Sequence, residues 1–187
     1  CFCAAVATSW AKSSRPRSPS NRRDQGLTNH SSRRLRRGLT QALGLMKYDD
    51  ASWHYGGDFP KDLPDEAGAT HAGMFVAWAL LSGLAGQIHT EDFPEDLEAL
   101  RTRSITPGHF LFKYCDGKFI DENLNDQGNA FAAAYFDLEH GSYLADYESV
   151  LGSDVPSLYH VPDTWHSFDR LKPTLDRRFS AWLAAGA

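Results

Sequence analysis

Seven histidines follow Met46: His54, His71, His89, His109, His140, His160 and His166. With Cys115 and several acid pairs, they are the side chains equipped for chemistry. None lies in a His-Glu-x-x-His segment, and no two stand four residues apart, so no single helix presents a metal. A zinc site gathered from His54, His71, His160 and Cys115 would need tertiary folding to assemble it, because no local spacing supports one. The sequence therefore assigns no metal site and no cofactor. Cys115 is followed by Asp116, whose charge works against a thiolate, so it reads as a buried cysteine near a helix end and not as a nucleophile. Asp121, Asn123 and Asn125 start a calcium-loop spacing, but Asp126 stands where the turn glycine belongs and Ala132 where the bidentate acid belongs. Adjacent acids such as Asp49-Asp50, Glu91-Asp92 and Glu95-Asp96 do not share a helix face. Glycine-rich phosphate loops and a Gly-x-Ser-x-Gly elbow are absent. No enzyme is indicated.

The segment richest in recognition chemistry is Lys47-Tyr48-Asp49-Asp50-Ala51-Ser52-Trp53-His54-Tyr55-Gly56-Gly57-Asp58-Phe59-Pro60. Acids and aromatics are interleaved there, Gly56-Gly57 permits a turn, and Pro60 and Pro64 keep the following chain extended. Asp49, Asp50, Trp53, His54, Tyr55 and Asp58 are the candidate partner-binding residues, gripping a cationic group through carboxylates and ring faces. For a docking surface, the three aspartates are expected to be solvent-accessible. The competing reading buries Trp53, Tyr55 and Phe59 beneath the helices as an N-terminal plug.

The elements that must position this loop are mainly helical. Met74, Trp78, Leu81 and Ala85 form an apolar stripe within 66–85, and Gly73 suits close approach by a neighbour. Asp92-Phe93-Pro94 and Thr106-Pro107 read as helix starts, Pro standing near the first helical position. Asn125 or Asp126 caps a helix carrying Phe131 and Tyr135, and Ser142 opens one carrying Leu144, Tyr147 and Leu151. The last stripe, Phe168, Leu171, Leu175, Phe179 and Trp182, follows a cap at Asp163 or Thr164, and Pro173 is expected to kink or split it. Lys118-Phe119-Ile120 and Leu158-Tyr159-His160-Val161 are the candidate strands. Together these signals predict a mainly α, compact single domain of five or six helices with an irregular aromatic N-terminal loop. The alternative is α+β with a small two-stranded ribbon.

Charge divides the chain. Residues 1–45 hold nine basic residues against one acid, Asp24, whereas ten basic and 23 acidic residues follow. The first segment is rich in Ser, Arg and Pro and lacks apolar periodicity, so it is read as disordered. The abrupt change at Met46 marks 46–187 as the globular domain and 1–45 as upstream or non-native sequence. An organelle transit peptide and a basic nucleic-acid arm are the competing readings of that segment. No run of about 18 apolar residues occurs, which argues against a transmembrane helix.

From Met46 onward the chain resembles an uncharacterised family of small bacterial proteins that open with a KYDDASWHYGGDFP-type string. The resemblance continues through Leu63 to His71, the Met74 to Trp78 run, Tyr114 to Lys118, Gly128 to Phe131, and Ser157 to Trp165 into the final helix. It covers 46–187 and implies a compact cytoplasmic domain, with no catalytic residues to carry over. Acidity adds that nucleic acid and anionic membranes are repelled and cationic partners attracted. The expected function is an acidic soluble binding protein, for example an immunity-type protein neutralising a basic toxin or nuclease. The alternative is a small metal-assisted hydrolase built on the scattered histidines.

Overall fold

The computed structural model describes residues 46–137 and 140–186. The readings attached to residues 1–45 lie outside the described residues. Strand β1 (Lys47–Asp50) runs into a 3-10 turn, Ala51–His54, and a second 3-10 turn, Asp65–Ala69, leads into helix α1 (Thr70–Ala79). Then come α2 (Pro94–Arg101), α3 (Pro107–Tyr114), strand β2 (Lys118–Ile120), α4 (Asp126–Tyr135), α5 (Tyr143–Leu151) and α6 (Trp165–Ala184). The described residues thus form a mainly α domain with one two-stranded antiparallel sheet.

Local signals account for most helix starts. Pro94 and Pro107 occupy the first turn of α2 and α3, where a missing N–H is harmless. The Asn125 side chain accepts from Gly128 N at the start of α4, and Thr164 accepts from Ser167 N at the start of α6. Long-range capping serves α3, whose Gly108 and His109 N–H groups both donate to the Asp163 carboxylate, at 2.8 and 2.9 Å. Helix α6 continues without a break across Pro173. The expected split does not occur, because Pro173 and Asp169, whose carbonyl loses its partner, both lie on the exposed side.

Helix α1 is the centre of the domain, and all ten of its residues are buried. Gly73 lets α3 cross it closely: a Cβ there would lie 2.5 Å from the Pro107 carbonyl oxygen. The π-type turn Leu80–Leu84 that follows α1 ends the helical run through Gly83, whose φ of 82° suits glycine. Around α1, Phe75 meets Phe119, Phe136 and Tyr143 with ring centroids 4.9–5.6 Å apart. The continuous helical run Asp65–Leu84 has the length and composition to cross a membrane. Of its most apolar window, 78% is buried inside the domain, as in a core helix.

Strand pairing also differs from expectation. Lys118–Ile120 pairs with Lys47–Asp50, placing Asp49 opposite Phe119, with an irregularity between Lys47 and Asp49. The other candidate strand instead forms a 3-10 turn, Leu158–His160. Pro156 and Pro162 flank that run and deprive it of ladder donors, so it cannot extend.

Candidate functional site

Three elements bring their polar side chains to one buried point. Asp49 comes from β1, His54 from the end of the turn that follows, and His71 from the first turn of α1. One carboxylate oxygen of Asp49 lies 3.0 Å from His54 Nε2, and the other lies 2.5 Å from His71 Nε2. The first oxygen also accepts the Asp50 backbone N–H at 2.7 Å. The two imidazoles meet edge to face with centroids 4.9 Å apart. His54 Nδ1 faces the Tyr159 hydroxyl at 3.2 Å, and Tyr143 donates to the His71 carbonyl.

Electrostatics follow from burial and pairing. Burial by itself would raise the Asp49 carboxyl, but the His71 imidazole and hydrogen bonds from both histidines hold it well below the usual carboxylate range. Burial lowers His71, against the pull of Asp49, which keeps its imidazole neutral and its Nε2–H donating at neutral pH. The Tyr159 hydroxyl is pushed up to about 12 by burial, with the Asp49 and Asp58 charges adding to it, so it stays protonated. Chemically, the cluster is a carboxylate bridging two imidazoles, with a phenol against the outer nitrogen of one. Such a set serves equally as a hydrogen-bonded clamp or as ligands for a metal.

The structure corrects the expected exposure of two candidate residues. Asp49 is 1% exposed and belongs to the clamp. Asp50 is buried too: it caps the Ala51–His54 turn by accepting from Ser52 N, and Lys47 Nζ lies 2.6 Å from its other oxygen. Neither is an accessible carboxylate. Trp53, Tyr55 and Asp58 do reach the surface, with Trp53 39% and Tyr55 36% exposed. The plug reading fails for Trp53 and Tyr55, whereas Phe59 is half-buried against Tyr55 and Tyr159. Desolvation and the nearby Asp65, Glu66 and Asp50 charges raise the Tyr55 hydroxyl, so this exposed ring stands among acids.

Of the imagined zinc set, only His54 and His71 come together, joined by Asp49. His160 faces Ser157 Oγ and Asp62, and Cys115 accepts weakly from Asn123 Nδ2 at 3.6 Å. Burial, with the Asp96 charge adding, pushes the Cys115 thiol up to about 12, which argues against a nucleophile; the cysteine is partly buried, and the contributing acid is Asp96 and not Asp116. The residue that sequence reasoning underused is His71. A histidine one residue into a helix otherwise made of apolar and small residues is a signal that a buried partner must exist.

A mainly helical domain with a buried Asp-His-His clamp under an acidic-aromatic surface is the class that fold and site define. The chain belongs to the family described as Domain of unknown function (DUF7832), whose model matches residues 47–161. That span holds the whole clamp and Tyr159, and α6 lies beyond it. No curated protein and no solved structure matches the chain.

Proposed function

We propose that this protein is an acidic binding protein whose partner is a cationic protein surface. One observation carries the reading: the loop after β1 exposes Trp53 and Tyr55, Tyr55 stands near Asp65 and Glu66, and Asp58 and Asp62 are exposed on the same loop, with Lys61 the one lysine or arginine between 52 and 66. Rings supply contact area and cation–π attraction, and the carboxylates steer a positive partner toward them. The clamp below ties the loop to β1 and α1, so the face is presented without a large ordering cost on binding. A basic toxin or nuclease has the matching charge, which makes an immunity-type role in the cytoplasm the form this function takes. Nucleic acid and anionic membranes have the wrong sign for the same face.

The test is titration of the full chain with a lysine-rich peptide at low and high salt, followed by Trp fluorescence. Binding that salt weakens, and that Tyr55→Ala and Glu66→Gln both reduce, supports the reading. Binding that ignores both substitutions, or no binding at low salt, refutes it. The metal-assisted hydrolase is the second reading, favoured by the meeting of His54 and His71 at Asp49. Against it stands burial, since a catalytic metal keeps a position open to substrate. The groove edged by Thr70, His109, Tyr159 and Asp163 includes none of the three clamp residues.

A further inference from the structure

We propose that Asp49, His54 and His71 form a binding site for a divalent transition-metal ion of the zinc type. The inference is independent of any partner at the surface above. Three donors from three separate elements converge so that one ligand atom from each lies within 4.8 Å of the others. Both imidazoles present the same nitrogen, Nε2, to one carboxylate, so a cation settling there meets two nitrogens and a negative oxygen. Imidazole with carboxylate is a donor set for zinc and its first-row neighbours, while calcium and magnesium demand oxygen ligands.

The surroundings of His54 fit this role. A metal-bound imidazole uses one nitrogen as ligand and donates its other N–H to an outer partner that fixes its tautomer. His54 Nδ1 has such a partner in the Tyr159 hydroxyl at 3.2 Å. Without a cation, His54 donates Nε2–H to Asp49 and accepts from Tyr159. With one, the tautomer reverses, Nε2 turns its lone pair to the ion, and Nδ1–H donates to the same hydroxyl. A hydroxyl both gives and takes a hydrogen bond, so Tyr159 serves either state. The ion would clip β1, the turn and α1 at a single point.

The experiment uses the full chain, stripped with a chelator and titrated with zinc chloride by calorimetry and with cobalt(II) by visible absorption. One ion per chain is expected, with a dissociation constant on the order of micromolar or tighter, and the melting temperature should rise with zinc. His71→Gln is expected to abolish uptake. Should that variant fail to fold, His54→Gln decides, because its imidazole sits at the margin of the cluster with 10% of the side chain exposed. His54→Gln, with its circular dichroism intact, should weaken zinc more than about 10-fold, and Tyr159→Phe by about 10–100-fold. Equal affinity in wild type and His54→Gln would assign the metal to exposed histidines such as His109, His140 or His166 and overturn the proposal. So would uptake well below one ion per chain in the wild type.

Discussion

Asp49→Asn removes one charge and changes one atom at the most connected polar group of the domain. The amide oxygen can replace the carboxylate oxygen that now accepts from Asp50 N and His54 Nε2. The new amide NH2 then faces His71 Nε2–H across the present 2.5 Å contact, donor against donor. Losing the charge-assisted bond costs about 1.5–3 kcal/mol, and stranding a buried donor costs a further ~1–3 kcal/mol. A total of about 3–5 kcal/mol is expected, a large share of the roughly 5–15 kcal/mol that holds a domain together. For a chain of this size, that lowers the melting temperature by about 6–20 °C. Urea and thermal unfolding with a chelator present isolate the hydrogen-bond effect from any metal. Asp58→Asn, at an exposed carboxylate, is the control and should stay within about 0.5 kcal/mol. A loss below about 1 kcal/mol for Asp49→Asn would refute the clamp as a determinant of the fold.

Acid should destabilise the domain early. Burial holds His89 down at about 4, whereas the unfolded chain protonates it near the ordinary 6.5, so stability is full above 6.5 and falls as pH drops toward 4. His71, also lowered by burial, adds a loss of the same sign, while Asp49 adds its own only below the ordinary carboxylate range. Urea midpoints at pH 7, 6 and 5 should decline in that order and decline less in His89→Gln; a flat profile over those three values would contradict the assignment. Phe179→Ala removes a half-buried ring packed 5.6 Å from Trp78 and 5.1 Å from Phe131. It should destabilise by about 1.5–3 kcal/mol, less than a fully buried Phe, and a change under about 0.5 kcal/mol in chemical denaturation would mark the ring as surface.

His89 also shows how a tautomer follows from packing. Asn123 Oδ1 accepts the Ile120 N–H at 2.8 Å, which turns its Nδ2 toward His89 Nε2 at 3.1 Å. His89 Nε2 is therefore the acceptor, and Nδ1 carries the proton. That Nδ1 is buried with no hydrogen-bond partner among the described residues. An N–H left this way weakens the neutral form slightly, but the desolvation of a charged ring is far larger and decides the direction of the shift.

What the sequence determined by itself is the part written in short-range chemistry. Asn125 and Thr164 cap their helices because a side-chain oxygen needs only to reach an N–H three residues on, and Pro94 and Pro107 start theirs because φ is set within the residue. Gly73 announced a close crossing, although nothing local said that α3 would make it. The rest depended on which distant segments pack. Pairing of Lys47–Asp50 with Lys118–Ile120 joins residues some seventy positions apart, and neither short run carries a register that would name the other. Asp49 looked like a surface acid because charge alone predicts exposure. It is buried because His54, five residues on, and His71, 22 residues on, supply the hydrogen bonds that offset its desolvation. Tyr159, more than a hundred residues from His54, completes the set only when the 3-10 turn at Leu158–His160 folds back toward the start of α1. Single residue types define what a site can do, and only tertiary packing decides which of them meet.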